Sequence, residues 1–433
     1  MKQHFNLFIF LIYTFNVWIP SVFGAEEIVI GLNYPLSGTY RVQGIQQKRA
    51  AMLAVDEINA AGGILGRFVQ LVQWDSQSNA EITSRNVVHM IEKDKAIMIL
   101  GSISDADALA AGTVCQAKGV PFFSTLAYAD EITGIEAHRY VFRESYNMGM
   151  ATRALLGYLN SKLPASINRY FYITTQEAWG KNIEAKLREG LNIKDQTIHK
   201  GVYVPFPIDY KVLWNALQIA QQEKPDVLML VLFGDELITA LKLAVTTTKL
   251  KSDVQIVVPS ITQGIAKSAG EAAMEGVIST IHWSWEIPYQ YNYSRGKAFV
   301  ENFYTRYGTT PSTSAASAYT SIYEYKAAVE RANSFNGSAV VTALEGYEYQ
   351  LLKDEQKWQN FDHQSVQTVY LVRGRFNYQT IGSYEEQGFF EIIDSIPGDK
   401  LILTREDWNA ARLAVGKSVE LEISSTVTDD SGK

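Results

Sequence analysis

The sequence predicts an α/β fold with two lobes, each built on a doubly wound parallel sheet. Strand-like and helix-like segments alternate along most of the chain, and single helices between strands imply parallel crossovers. A second series of the same kind begins near Arg143. The length of 433 residues also exceeds what one hydrophobic core usually supports. Together these observations favour two lobes of one architecture.

The first series of elements is marked by its apolar spacing. Ala50, Leu53, Ala54 and Ile58 recur at the spacing of one helical face, and the glycines at 62–63 follow where that helix would end. The predicted strands are residues 27–32, 68–72, 96–100 and 120–124, and the predicted helices are residues 46–60, 79–92 and 105–116.

The second series repeats this layout. Its predicted strands are residues 170–174, 202–204, 227–233 and 254–258, with a helix at residues 181–189. Residues 95–124 and 225–260 both read as strand, short loop, acidic helix start, helix and strand. Open α/β sheets bind ligands at the carboxyl ends of their strands, so two such lobes offer a shared cleft. Roughly the last hundred residues follow no repeat, and the tail 424–433 is polar.

Residues 1–24 have the composition of a cleavable secretory signal peptide. Lys2 supplies the positive charge, residues 5–20 form an apolar run that ends at Pro20, and a glycine precedes Ala25. We therefore expect export, with a retained membrane anchor as the alternative. No later stretch of the sequence approaches the ~20 apolar residues that cross a bilayer.

Composition and motifs argue against several classes of function. A net charge of −7 disfavours nucleic acid as a partner, because its binders carry a basic face. No pair among the six histidines has helical metal-ligand spacing, and no nucleophile elbow, Walker loop or dinucleotide fingerprint occurs. Cys115 is the only cysteine, and its apolar neighbours indicate a buried helix face. The sequence predicts no catalytic residue, no metal site and no cofactor.

A set of short motifs occurs in a defined order along the chain. They are Pro35-Leu-Ser-Gly38, the run AVDEINAAGGILGR at 54–67, Asp75, Gly119-Val-Pro121, Phe142-Arg143 and Asp362-His-Gln364. The run at 54–67 is the most specific. In these motifs the chain resembles the branched-chain amino-acid type (Leu/Ile/Val-binding-protein-like) of periplasmic solute-binding protein, which serves ABC importers. The layout covers about residues 26–375.

The resemblance implies the type I periplasmic-binding-protein fold, in which three crossing segments join two doubly wound lobes. The crossings are expected near Arg143, near residues 278–285 and near residues 355–368. The N-terminal lobe would then comprise residues 25–143 plus about 282–355. The C-terminal lobe would comprise residues 144–281 plus about 356–420. The role of the segment after about residue 375 stays open.

The loop at residues 101–105 contains the first candidate ligand-binding residues, Ser102, Ser104 and Asp105. It joins a strand end to a helix start, whose free N–H groups can bind a carbonyl or carboxylate. Capping of the helix is the alternative role. The resemblance places a hydroxyl residue near 105 against an amino-acid carboxylate. An aspartate there would repel a carboxylate by about 4 kcal/mol at about 4 Å, which favours a ligand with an amide, hydroxyl or ammonium group.

The resemblance implies further cleft residues in both lobes. They are Leu126, Ala127 and Tyr128 in the second loop, and Trp179, Phe233 and Ser260 in the second lobe. Ser260 stands where amino-acid binders hold the ligand ammonium with an acid. Asp235, Glu236 or Glu177 could supply that charge, and surface capping is the alternative for all three. Gln43 is a weaker candidate for a polar contact. Trp283 and Trp285 either line the cleft or pack beneath the hinge.

These expectations combine into one predicted function. The protein would be an exported, periplasmic, monomeric receptor that captures a small polar molecule, amino acid or amide-like, and delivers it to the membrane permease of an ABC importer. It would perform no chemistry. The alternative is a ligand sensor of the same fold that signals to a membrane partner. An aromatic acid also remains open as the ligand.

Overall fold

A five-stranded parallel sheet begins the computed structural model, which describes residues 27–38, 40–162, 169–246, 250–252, 254–381 and 384–422. The predicted signal peptide and the tail 424–433 lie outside these residues. The first elements are β1 (Ile28–Tyr34), α1 (Arg41–Ala60), β2 (Val69–Asp75), α2 (Ala80–Glu92), β3 (Ala96–Gly101), α3 (Asp105–Lys118), β4 (Phe122–Ser124) and β5 (Val141–Arg143). The strand order is β2-β1-β3-β4-β5, and all pairings are parallel.

The two faces of this sheet pack into separate apolar clusters because strand side chains alternate. Ile30 and Leu32 belong to one cluster, and Ile99 and Phe122 belong to the other. Cys115 is fully buried in the second cluster, as the sequence predicts, and burial raises the pKa of its thiol. The first sheet is therefore covered on both sides, as in a doubly wound fold.

Helix α1 begins at Arg41, earlier than the predicted start at residue 46. A Cβ at Gly44 would lie 2.1 Å from the carbonyl oxygen of Pro35, so the first turn packs against the preceding loop. This contact places Gln43 in a helix, whereas the sequence suggested a loop. Polar residues dominate that turn, and the apolar pattern could not mark it.

The second sheet has seven strands. The next elements are α4 (Met148–Lys162), β6 (Tyr170–Thr175), α5 (Ala178–Gly190), β7 (Gly201–Val204), α6 (Tyr210–Glu223), β8 (Val227–Val231), α7 (Gly234–Thr246), β9 (Gln255–Val257), α8 (Gln263–Ala269), α9 (Glu271–Met274) and β10 (Ile278–Ile281). Strands β6 to β10 pair in parallel in the order β10-β9-β8-β6-β7. We call each sheet with the residues packed on it a lobe.

After β10 the chain returns to the first lobe. The elements after β10 are α10 (Glu286–Gln290), whose Ile287 still packs on the second sheet, α11 (Ser294–Tyr307), α12 (Thr313–Ala332), α13 (Gly337–Leu344) and the small strands β11 (Glu348–Tyr349), β12 (Gln356–Trp358) and β13 (Ser365–Val366). Trp283 and Trp285 are 3% and 0% exposed and belong to the same core cluster as Ile30. Both tryptophans therefore pack beneath the hinge, which resolves the choice that the sequence left open.

The C-terminal part is regular, although the sequence shows no pattern there. Strands β14 (Val369–Ile381) and β15 (Tyr384–Ile396) form a hairpin, and α14 (Arg405–Ala414) follows. Strand β14 pairs antiparallel with β10, so the hairpin extends the second sheet.

The three crossings of the predicted fold follow β5, β10 and β13. No helix among the described residues is both long and apolar enough to cross a bilayer.

We call residues 397–422 the C-terminal strap. Near its start the Leu401 carbonyl accepts a hydrogen bond from Arg153 Nε of α4 (2.6 Å). Farther along, Trp408 Nε1 donates to the Thr133 carbonyl (2.9 Å), and Arg412 Nη1 donates to the Gly134 carbonyl (2.9 Å). The strap thus runs from the second sheet to the first lobe. The lobe limits stay a prediction.

Glu324 on α12 provides a test of how the core responds to pH. Its side chain is 4% exposed and accepts a hydrogen bond from Trp358 Nε1 (3.3 Å). Burial raises the pKa of Glu324 to about 7; Trp358 and Arg331 oppose the shift, and Glu144 adds to it. The pKa of Glu324 in the folded protein therefore lies above the unfolded value of about 4.3. As a result, the free energy of unfolding falls as the pH rises from about 4.3 to about 7.

We expect Glu324→Gln, which keeps an acceptor for Trp358, to raise the free energy of unfolding by roughly 1–3 kcal/mol at pH 8 and by almost nothing at pH 4. Chemical denaturation at both pH values measures this. Glu330→Gln, on an exposed position of the same helix, is the matched control. An equal gain for Glu324→Gln at both pH values would contradict the assignment.

The strap provides a test of packing. Trp408 is 1% exposed, and its indole is 5.4 Å from the ring of Phe361. Truncation of a buried tryptophan typically costs about 3–5 kcal/mol. We expect Trp408→Ala to lower the thermal midpoint by several degrees. Leu413→Ala, on the exposed side of the same helix, should change it by less than one degree. Similar midpoints for both variants would mean that the strap contributes little to stability.

Candidate functional site

The loop after β3 has an unusual backbone. Gly101 has φ of +138°, and a Cβ there would lie 2.0 Å from the Asn33 carbonyl oxygen, so this position requires glycine. Ser102 has φ of +68° and is 1% exposed. Its Oγ has no hydrogen-bond partner among the described residues. Because buried hydroxyls are normally paired, Ser102 has an unused donor and acceptor at this strand end.

Ser104 and Asp105 both make hydrogen bonds within the protein. Ser104 Oγ accepts the N–H of Asp107 (3.1 Å) and so caps α3. Asp105 Oδ1 accepts the N–H groups of Tyr128 (2.8 Å) and Ala129 (2.9 Å). Burial raises the pKa of Asp105, while these two donors and the charge of Arg143 lower it. The Asp105 carboxylate therefore joins the first loop to the second, a role that the sequence did not indicate.

The second loop follows β4 and is buried. Leu126, Ala127 and Tyr128 are 3%, 0% and 8% exposed. The ring of Tyr128 packs edge-on against three other rings, those of Tyr146 (5.1 Å), His282 (6.0 Å) and Phe233 (6.1 Å between centroids). Phe233 follows β8 of the second lobe. The loops at the strand ends of the two sheets are therefore in direct contact.

Of the remaining predicted residues, Trp179 and Ser260 lie near this contact, whereas Gln43 packs against α12. Trp179, in the first turn of α5, is partly buried and donates from Nε1 to Glu177 Oε2 (2.9 Å). Ser260 is buried, and its Oγ is 2.6 Å from the hydroxyl of Tyr146. Leu126, Tyr128, Trp179 and Phe233 share one apolar cluster. Gln43 is half-buried, and its carbonyl accepts a hydrogen bond from Ser314, which ties it to α12.

Three aromatic residues of this region were missed by the sequence analysis. Tyr40, which directly precedes α1, packs on the cluster that contains Tyr128 and Trp179. Tyr146 and His282 have ring centroids 4.6 Å apart. Burial, helped by Lys353, lowers the pKa of His282 well below its usual range, so the imidazole is neutral at pH 7. For Tyr146 and His282, the only indication in the sequence was their position next to two predicted crossings.

Two carboxylates lie beside the aromatic cluster. Glu236, in the first turn of α7, is 4% exposed, and its Oε1 has no hydrogen-bond partner among the described residues. Burial and the charge of Glu177 raise the pKa of Glu236 to about 7. The pKa of Tyr40, in the first lobe, is raised by burial and by the charges of Asp105, Glu177, Asp107 and Glu236. The charges of Glu177 and Glu236, at the starts of α5 and α7, thus act on a residue of the first lobe.

A cavity of about 260 Å³ lies next to the segments that cross between the lobes. Its walls come from both lobes and from the C-terminal strap, and they include Asp130, Lys186, Gln364 and Trp408. Lys186 Nζ of the second lobe is 2.6 Å from Asp130 Oδ2 of the first. In the part of the chain that the structure describes, no group of three acidic, histidine or cysteine side chains could hold a metal ion.

Comparison with known proteins agrees with this architecture. The family model described as periplasmic binding protein matches residues 27–379. The match ends before β15 and the strap. Among curated relatives, the Leu/Ile/Val-binding protein homolog 8 of Brucella abortus is 39% identical over 119 residues. That segment covers 27% of this chain and 28% of the relative, so the match spans well under two thirds of the relative's length.

Solved structures share the fold at low identity. A branched-chain amino acid ABC transporter periplasmic ligand-binding protein from Burkholderia xenovorans has a TM-score of 0.74 and 20% identity, over 88% of this chain and 98% of that one. A solute-binding protein of an ABC transporter from Rhodopseudomonas palustris, in complex with 3,4-dihydroxybenzoic acid, has a TM-score of 0.72 and 19% identity, over 86% and 98%. Because the family model matches most of the chain and the structure has two lobes, the chain belongs to the periplasmic binding protein family.

Proposed function

We propose that the protein is an exported receptor that captures one small polar solute between its lobes and delivers it to the permease of an ABC importer. The observation that carries the proposal is the meeting of loops from both sheets, where Tyr128 of the first lobe contacts Phe233 of the second. Ligands of open α/β sheets bind at such strand ends. The expected location is the periplasm, and the expected state is a monomer.

Buried polar groups at the strand ends support this role. The hydroxyls of Ser102, Ser124 and Thr174 follow or end β3, β4 and β6, and none has a hydrogen-bond partner among the described residues. Leaving such groups unpaired costs about 1–3 kcal/mol each. We call the space between the loops at the strand ends of the two lobes the gap. A polar ligand in the gap would form hydrogen bonds with these hydroxyls and would favour a closed arrangement of the lobes over an open one. A ligand shifts such an equilibrium only by its differential affinity for the two states.

The ligand classes bound by the similar proteins support a small solute without identifying it. The structure from Rhodopseudomonas palustris holds an aromatic acid, and the protein from Burkholderia xenovorans is named for branched-chain amino acids. The second candidate function is a sensor of the same fold that reports to a membrane partner. Both functions need binding without chemistry, so a constant ligand mass after long incubation fits either one, and a changed mass excludes both.

The direct test is a thermal-shift screen of the purified protein against several hundred metabolites, followed by calorimetry on each hit. A solute at a hundredfold excess over its Kd adds about 2.7 kcal/mol to stability, which is easily visible as a higher midpoint. Reconstitution with candidate permeases in vesicles then separates transport from sensing. A screen in which no solute raises the midpoint would argue against the receptor.

Trp179 provides the matching mutational prediction. The side chain is partly buried and lies next to the gap, so Trp179→Ala should abolish the ligand-induced shift and leave the ligand-free midpoint nearly unchanged. Trp214→Ala is the control, because Trp214 is also partly buried in the second lobe but packs on the opposite face of its sheet. It should lower the ligand-free midpoint and keep the shift. A loss of several degrees in ligand-free Trp179→Ala would make Trp179 a core residue.

A further inference from the structure

We infer that the solute is an organic cation, an amine or a quaternary ammonium, whose charge binds Glu236 and Glu177 inside a ring of aromatic side chains. This inference rests on the proposed function and specifies its ligand. Ser260 stands where the resemblance implies an acid for an ammonium group, and its hydroxyl is already bonded to Tyr146. We place the cation at two other residues instead, at the starts of α5 and α7.

Glu236 is a buried acidic residue. Its side chain is 4% exposed, yet Oε1 accepts no hydrogen bond from any described residue. No lysine or arginine among the described residues forms an ion pair with Glu236 or Glu177. Arg41 and Lys181 are neighbours of the gap in sequence, but both are exposed, and Lys181 lies over the ring of Tyr203 instead. A buried acid with neither a hydrogen bond nor a counter-ion is costly, and a cationic guest removes that cost.

Acidic side chains lie around Tyr40, which directly precedes α1. The charges of Asp105, Asp107, Glu177 and Glu236 raise the pKa of Tyr40. These four carboxylates lie in or directly before the first turns of α3, α5 and α7. Asp105 is held by the backbone N–H groups of Tyr128 and Ala129, and Arg143 lies near it. No basic side chain among the described residues forms an ion pair with Glu177 or Glu236. An anionic solute would meet repulsion here, whereas a cation would be attracted from both sides.

Aromatic side chains lie in the same region. Tyr40, Tyr128, Trp179 and Phe233 belong to or pack on one cluster, and Trp179 holds Glu177 through its indole N–H. The faces of aromatic rings attract cations, and an aromatic cage with acidic residues is the usual receptor for an alkylammonium group. Aromatic rings alone would equally suit a neutral apolar solute. The combination with two acids that lack a counter-ion among the described residues selects a positive charge.

The experiment uses probe pairs that differ mainly in charge. Choline is compared with 3,3-dimethylbutan-1-ol, its neutral isostere, and benzylamine is compared with benzyl alcohol and benzoate. The metabolite screen is sorted into cationic, zwitterionic, neutral and anionic classes. We expect hits only among solutes with a positive group, and at least a tenfold preference for the charged member of whichever probe pair binds. Calorimetry with the purified protein measures each affinity.

Variants then assign the charge to a residue. Glu236→Gln should weaken binding of the best cation at least tenfold, and Glu177→Gln should also weaken it. Asp235→Asn removes the same charge from the neighbouring position of α7, where the side chain is exposed, and should change affinity less than twofold. Comparable ligand-free midpoints for the three variants would show that each one folds.

The pH dependence is a further readout. Glu236 has its pKa raised to about 7 by burial and by Glu177, so it is mostly protonated below that pH. Cation binding needs the ionised form, and affinity should therefore rise about tenfold between pH 5.5 and pH 8 and then level off. In Glu236→Gln the same pH change should have much less effect. The other titratable groups near this region include Tyr40, Tyr128, Asp105, Asp107 and Glu177, and Arg143 lies near Asp105.

The possible outcomes separate the two proposals. If neutral or anionic solutes bind and Glu236→Gln binds them as tightly as the wild-type protein does, the receptor stands and the cation assignment is wrong. If no solute of any class raises the midpoint, the receptor itself is wrong. Binding of cations that is insensitive to both glutamine variants would also overturn the assignment.

Discussion

The buried guanidinium of Arg143 is the constraint on which the arrangement of the lobes depends. It is fully buried at the first crossing and donates to Gln364 Oε1 (2.7 Å) at the third, to the Ala129 carbonyl and to Thr133 Oγ1. The Arg143 N–H also donates to the His363 carbonyl (3.1 Å). Burial lowers the pKa of Arg143 to about 10, opposed by nearby carboxylates that include Asp130 and Asp105, so the group stays charged. A buried charge tolerates few rearrangements, which keeps the crossings in one geometry.

Most of the fold could be predicted because local patterns and tertiary packing agree over the two series of strands and helices. Helix α2 begins after Asn79 and α3 begins after Ser104, as their capping residues indicate. The C-terminal hairpin could not be predicted in the same way. Strand β14 derives its stability from pairing with β10, about ninety residues earlier in the sequence, and a local pattern carries no information on such a partner.

The meeting of the loops could be predicted from the sequence, but the contacts of their residues could not. The loops near residues 102, 126 and 233 do meet, because strand ends of parallel sheets lie at one edge. The roles depend on which donors lie within about 3 Å, and sequence cannot show this. Asp105 joins two loops through backbone N–H groups, Ser260 bonds to Tyr146, and Ser102 has an unpaired hydroxyl. A residue type alone is compatible with all of these situations.

The C-terminal strap has a practical consequence for experiments on motion. The described chain begins at β1 in the first lobe, and near its other end the Glu422 carbonyl accepts a hydrogen bond from Gln116 of α3 in the same lobe (2.8 Å). Fluorescent labels attached near residues 28 and 422 would therefore both be fixed to the first lobe. Their separation would stay constant while the lobes move, so a sensor of closure needs one label on the second lobe, for instance on an exposed residue of α6.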